Sequence, residues 1–268
     1  MTLFHIHSDY SLLHSTIKIK DLVKKAKEYG YSALGISELD NMFSAIEFYE
    51  ECKANDIKPI IGIDATILRD NTSSKMLLIA KNKKGYDNLM YLNSIAYLKH
   101  MKSSTPFLPF EEILNNQEGI AFILPMMESE VGFHLNILDE KNVLNSAGGY
   151  EKAKEVLSFY KQNLNEIYLE IRRDSKDEKL IEDDLISLSK ELNIPLLASS
   201  NIFFLNKMDY IYKDALECIE NNKQFDDLHR KIKIKDNYLR SKKEFEELYL
   251  LHSCLLSFLA ALCMQMRL

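Results

Sequence analysis

Two histidines stand one residue apart near the start of the sequence, His5 and His7 in "FHIHSDYSLLHS" (residues 4–15), and His14 follows seven positions after the second. Successive side chains of a β-strand alternate faces, so His5 and His7 point the same way, with Phe4 and Ile6 opposite. Two imidazoles spaced in this way can share one metal ion, and His14 can reach a neighbouring ion if the chain turns back. Carboxylates that could complete such a set are Glu38, after "LGIS", and Asp64, in "GID". Together these groups could activate water for phosphate-ester hydrolysis. The plainer alternative is that His-x-His is a polar strand end, and one short motif does not decide between the two.

Such residues need elements to hold them, and the chain supplies an alternation. "TLFHI" is a short β-type run, and "IKDLVKKAKEYG" is an amphipathic helix closed by Gly30. The strands that follow are "SALGIS", "KPIIGIDATIL", "KMLLIAKN", "GIAFILP", "EIYLEIRR" and "IPLLASS". Helical patterns lie at "NMFSAIEFYEECKAN", "YDNLMYLNSIAYLKH", "EKAKEVLSFYKQN", "EKLIEDDLISLSKELN", near 208–221, and at "SKKEFEELY". Strands alternating with helices predict parallel pairing through crossovers and a closed or nearly closed β/α barrel. In that architecture the C-terminal strand ends carry the site, which is where His5, His7, Glu38 and Asp64 fall. No internal repeat or low-complexity linker interrupts the pattern.

Composition narrows the function classes. The 268 residues carry a formal charge of −6, which argues against a surface that grips nucleic acid throughout. The cluster in "KDLVKKAK" reads as a solvated helix face, and "NKKGYDN" as a helix-start turn around Gly85. Cys52, Cys218, Cys254 and Cys263 lack metal-ligand spacing and follow no signal peptide, so they read as reduced thiols of a cytoplasmic protein. "YLLHSCLLSFLAALCMQM" (residues 249–266) is strongly apolar but shorter and more interrupted than a membrane span, so no membrane is expected as partner.

Taken in order, these segments resemble the polymerase and histidinol phosphatase (PHP) domain, in the version that opens bacterial DNA polymerase III alpha subunits. "HIHSDYSLLHS" looks like the family's first motif. "LVKKAKEYGYSALGISELDNMFSAIEFYEECKANDIKPIIGIDATI" is similar to the next two strand–helix units. "LLIAKNKKGYDNLMYLNSIAYL", "YLEIRR", "LSKELNIPLLASSNIFFLNKMD" and "DNYLRSKKEFEELY" follow collinearly to about residue 249. The resemblance implies a distorted seven-stranded β/α (TIM-like) barrel, the PHP fold. Its mouth in intact members holds up to three zinc- or manganese-type ions, which some members use in 3′–5′ exonuclease or phosphoesterase work.

The sequence departs from that pattern at several ligand positions. His5 and His7 match the first pair, and His14 stands where the family usually has Asp. In the Thr-Asp-His motif, Glu38 keeps a carboxylate, but Leu39 cannot ligate. Asp64 shortens the Glu of "G-x-E". Met126 replaces a Cys, and a thioether is a poor ligand for such ions. In the closing Asn-Asp-x-His motif, Asn201 loses the charge and Phe203 loses the ligand. Lost or weakened are therefore Leu39, Met126, Asn201 and Phe203. The remaining His5, His7, His14, Glu38 and Asp64 are expected to form a degenerate site. It would hold residual zinc or manganese at most, with no catalytic residue.

The resemblance further implies a structural role beside the palm, thumb and fingers of a polymerase, with replisome subunits as partners. DNA would be reached through the full-length protein. The palm aspartates and their magnesium ions lie far downstream in the family, so this chain is not expected to polymerise DNA by itself. Three divisions follow: the barrel over 1–205, an exit segment over 206–249, and an apolar tail over 250–268 that matches nothing in the family. The tail reads as a frameshift or truncation product, or as a helix packing on the barrel. The competing functions are a free-standing metal-dependent phosphoesterase and a pure interaction module.

Overall fold

The computed structural model describes residues 2–136, 146–225 and 235–249. The apolar tail from residue 250 lies outside them. The elements follow in order: α1 (Ile19–Glu28), β1 (Ala33–Leu39), α2 (Ala45–Ala54), β2 (Lys58–Arg69), β3 (Thr72–Ala80) and α3 (Lys83–Lys99). Then come the small hairpin β4 (Met101–Lys102) and β5 (Thr105–Pro106), β6 (Leu108–Pro109), α4 (Phe110–Asn115), β7 (Ile120–Leu124) and α5 (Glu130–Leu135). The described residues finish with α6 (Ser146–Asn163), β8 (Ile167–Ile171), α7 (Glu178–Leu192), β9 (Leu196–Ala198), α8 (Tyr210–Glu220) and α9 (Lys242–Tyr249).

Hydrogen-bonded neighbours run β1-β2-β3-β7-β8-β9, with β6 pairing beside β2. The expected run at the N-terminus is not a regular strand, yet it fills the gap between the two ends of this path. On one side Gly35 and Ser37 donate their amides to Leu3 and Ile6. On the other, the amide of His7 donates to Ile202, and that of Ile202 to His5, each at 3.0 Å. Ser199 in turn donates to Ile171. The result is the distorted seven-stave β/α barrel that the alternation predicts.

Uniform parallel pairing does not hold. β1–β2, β7–β8 and β8–β9 are parallel, but β3 is antiparallel to both β2 and β7. The cause is local. Asp70 and Asn71 both sit in the left-handed region, with φ of 47° and 67°. Two such residues form the tight turn whose twist suits a hairpin, so the chain doubles straight back rather than crossing over through a helix.

The core is the inside of the ring and the layer beneath the helices. α1 buries Ile19, Leu22, Val23 and Ala26, one stripe of a 3.6-residue period; Lys20, Lys24 and Lys27 face solvent, while Lys25 donates to the Leu205 carbonyl at 3.0 Å. Asn82 caps α3 by accepting the Gly85 amide at 2.9 Å, which confirms the helix start in "NKKGYDN". Gly85 also lies hard against Gly119, at the entrance to β7. A Cβ on Gly85 would come within 1.9 Å of the Gly119 carbonyl oxygen. Both partners there are backbone and cannot swing aside. Gly85→Ala is therefore expected to lower stability by about 1–3 kcal/mol, read from the urea midpoint, by prising α3 off the sheet. A variant with an unchanged midpoint would show that the helix start is free to shift.

Among the described residues, no helix is long and apolar enough to cross a membrane.

Candidate metal centre

The mouth of the ring is built from strand ends, and its polar groups are buried except for the partly exposed Lys75. His5 and His7 come from the first stave, Asp64 from β2, Lys75 from β3, Glu170 and Arg172 from the end of β8, and Asn201 from the loop after β9. One oxygen or nitrogen each from His5, His7 and Asp64 lies within 4.8 Å of the others, the spacing of a shared ion. His5 Nε2 is 3.3 Å from Asp64 Oδ2, while its Nδ1 is 2.9 Å from Glu170 Oε1. A carboxylate behind the second ring nitrogen is the usual orienting partner of a metal-binding histidine. His7 Nε2 is 3.0 Å from Asn201 Oδ1 and 4.0 Å from Asp64 Oδ2.

Charge is distributed unevenly over the two imidazoles. Burial works against a proton on His5, but Glu170 and Asp64 outweigh it and push its pKa up to about 10. For His7, burial and the neighbouring charge of His5 act together and hold it well below the usual range. Burial also opposes ionisation of Asp64 and Glu170. Lys75 and His5 overcome it for Asp64, His5 and Arg172 for Glu170, and both carboxyls lie below their ordinary values. Among the buried atoms with no hydrogen-bond partner are His7 Nδ1 and Asp64 Oδ1. Orphaned polar atoms inside a protein are costly. Donors of these types, two imidazoles and a carboxylate, fit a single zinc- or manganese-type ion.

The other predicted ligands are not gathered there. Glu38 is buried, but its carboxylate accepts from the Ser8 amide at 3.0 Å and from the Ser8 and Ser11 hydroxyls. His14 lies on the loop after the first stave, 3.2 Å from Glu220 of α8 and partly exposed. Phe203 stacks flat on His7, with centroids 4.6 Å apart and planes 9° from parallel. Met126 is buried, and its sulfur accepts the Arg172 amide at 3.1 Å. Leu39 ends β1, where its amide donates to the Ser11 hydroxyl oxygen.

Two residues beside the centre, Glu170 and Arg172, lie in "YLEIRR", a segment whose resemblance assigns neither of them a role. Their signal is weaker: a carboxylate inside the apolar run "IYLEI", and a cation two positions on, hence on the same face. Arg172 is buried and reaches three carboxylates. Its Nε donates to Glu178 at 2.9 Å, one terminal nitrogen donates to Glu128 at 2.8 Å, and the other is 3.4 Å from Glu170. Lys75 similarly joins Asp40 at 2.9 Å and the Asp64 carbonyl at 3.3 Å.

Residues 237–240 pair with the loop after β9. The Phe203 amide donates to Asn237, the Leu239 amide to Phe204, and the Asn237 side chain to the Asn201 carbonyl. Arg240 reaches Asp174 at 2.7 Å and Ser200 at 2.6 Å.

The family profile of the PHP domain matches residues 4–174, and the chain belongs to that family. Over 259 residues it is 36% identical to the DNA polymerase III subunit alpha of Campylobacter jejuni, a match that covers 92% of this chain and 22% of that relative. The subunit of the same name from Helicobacter pylori is 34% identical over 259 residues, with 92% and 21% covered. The chain thus spans about a fifth of the length of the curated relatives it matches. Among solved structures, an amidohydrolase from Chromobacterium violaceum shares the fold. It aligns with a TM-score of 0.51 at 7% identity, over 75% of this chain and 87% of that one.

Proposed function

We propose that this chain is the N-terminal PHP domain of a replicative DNA polymerase III alpha subunit, and that it serves bacterial DNA replication as a scaffold around a degenerate metal site. The observation that carries the reading is the stacking of Phe203 on His7. The resemblance implies a ligand at that position, and here an apolar ring seals the mouth instead. The Glu38 carboxylate is taken up by serines, and His14 faces α8. What remains for a metal is His5, His7 and Asp64, with Glu170 behind His5. An ion bound there would supply Lewis acidity and a polarised water. The chain's own residues would bind and orient it, but Phe203 offers no donor and Met126 only a thioether.

In this reading the partners are the remaining polymerase domains and the replisome subunits, in the cytoplasm. DNA and the magnesium ions of nucleotidyl transfer belong to the full-length protein. The exit segment, locked onto the 199–204 loop, is the route by which the barrel would bear on those domains.

Elemental mass spectrometry of the purified chain tests the site. The expected result is at most one zinc or manganese per chain, removed in the His5→Ala/His7→Ala double variant, with phosphomonoester and phosphodiester hydrolysis at background. Two or three ions per chain with metal-dependent turnover would replace the scaffold by a free-standing phosphoesterase.

A further inference from the structure

We infer that α8 is a lid on the metal centre, hinged at the turn before it and latched at its last residue, and that an ion reaches His5, His7 and Asp64 only when it lifts. The lid rests on the metal-centre reading above and adds how that centre is reached. His5, His7 and Asp64 are each no more than 4% exposed, so the ligands are shut off from water as they stand. The link from α8 to the centre runs through one ring. Phe203 stacks on His7, and the Lys213 ammonium of α8 lies over the same ring, 5.1 Å from its centroid.

α8 sits on the barrel the wrong way round. The residues that it buries are Lys213, Asp214 and Cys218, which lie on one side of the helix. Its exposed side chains include Ile211, Tyr212 and Ile219, with Met208 in the turn before it. An ordinary surface helix buries its apolar stripe, as α1 does. With a mainly polar face inward, α8 gains little hydrophobic burial when it seats. Lys213 finds its carboxylate, Glu217, on the same helix at 3.2 Å, so that pair does not tie α8 to the barrel. Segments with few buried apolar contacts open locally at well below the cost of unfolding the whole domain.

The two ends of α8 are held differently. Before it, Lys25 of α1 donates to the Leu205 carbonyl at 3.0 Å and to the Asn206 side chain. The Asn206 amide donates to Asp209 at 3.0 Å, and Lys207 is 3.3 Å from Asp236. These bonds fix a hinge. At the far end His14, on the loop after the first stave, is 3.2 Å from Glu220, with both side chains partly exposed. An ion pair open to water is weak, which suits a latch that must release.

Two buried thiols supply the readout: Cys218 on the inner face of α8, and Cys52 in α2 as a reference for the core. In the full chain with EDTA, alkylation of both by iodoacetamide is timed by peptide mass spectrometry, as is acylation of His7 by diethyl pyrocarbonate. Once uncovered, His7 offers that reagent a ring nitrogen without a partner. Each rate is compared with that of the same residue in urea. Cys218 and His7 should be protected to within about threefold of each other, and both at least about 100-fold less than Cys52, which waits for the core to unfold. Lys213→Met puts an apolar group on the inner face. It should seat the lid and slow labelling of Cys218 and His7 about tenfold, leaving Cys52 as it was.

A Cys218 as protected as Cys52 would overturn the lid. So would a readily labelled Cys218 beside a His7 that stays as protected as Cys52, since α8 would then move without uncovering the centre. Labelling of Lys213→Met as fast as the parent would overturn it too, and if that variant does not fold, the three parent rates decide. No metal takes part in the labelling, so the metal-centre reading is judged separately, on the metal content of the unaltered chain.

Discussion

Replacing Glu170 by leucine is expected to destabilise the metal-free chain by about 3–5 kcal/mol at neutral pH, because it strips one buried carboxylate from two buried cations. His5 keeps Asp64, and Arg172 keeps Glu128 and Glu178, but neither retains the group that holds them together. The effect should depend on pH in a set direction. The folded-state pKa of His5 is raised from 6.5 to about 10 by Glu170 and Asp64 acting against burial. A raised pKa means that the stabilising proton is fully bound below pH 6.5 and is lost as pH climbs through 10. The parent should therefore lose stability over that window. The leucine variant, without the largest source of the shift, should change less, so the gap between them narrows at high pH. Urea midpoints in chelator at pH 6, 8 and 9.5 would read this. A gap that stays constant would mean that His5 is neutral throughout.

Tyr249→Ala is the second large effect, again about 3–5 kcal/mol, the usual range for deleting a buried aromatic side chain. Tyr249 is completely buried at the end of α9 and packs on Phe245 with centroids 4.8 Å apart. Its hydroxyl lies 2.6 Å from the Ser199 carbonyl and 3.0 Å from that of Ile171, the last turns of β9 and β8. Tyr249→Phe should cost only about 1 kcal/mol, the net worth of one hydrogen bond. Because α9 and residues 237–240 hold the 199–204 loop, the alanine variant should also expose that loop to protease. A cut pattern like the parent's, together with a small stability change, would show that the exit segment is not what pins the loop.

Much of this was legible from the residues. The pattern "IKDLVKKAKEYG" gives α1, and the alternation of strands with helices gives the ring. The hairpin between β2 and β3 does not show in the strand pattern, which gives two separate runs; the left-handed Asp70-Asn71 pair between them carries the turn. The site was legible where a motif carries it: His5 and His7 by their spacing, Asp64 by its strand end. Glu38 and His14 illustrate the limit. Side-chain type says what a residue could bind, but the serines of "SDYS" and the helix around Glu220 set where it points. Glu170 and Arg172 were hidden for the opposite reason. A charge in an apolar strand has meaning only once the ring shows which charges meet it.

The ring closes between residues far apart along the chain, since the partners His7 and Asn201 are separated by 194 positions. A ribosome reaches the second long after the first has left its tunnel. Until then the opening stave has only β1 to hold it, and one of its edges waits with unpaired backbone groups. Contacts of such range come late in folding. The two histidines are thus among the first side chains made and among the last to find their final surroundings, which makes barrel closure the step at which a nascent chain is most exposed to misassembly or to a chaperone.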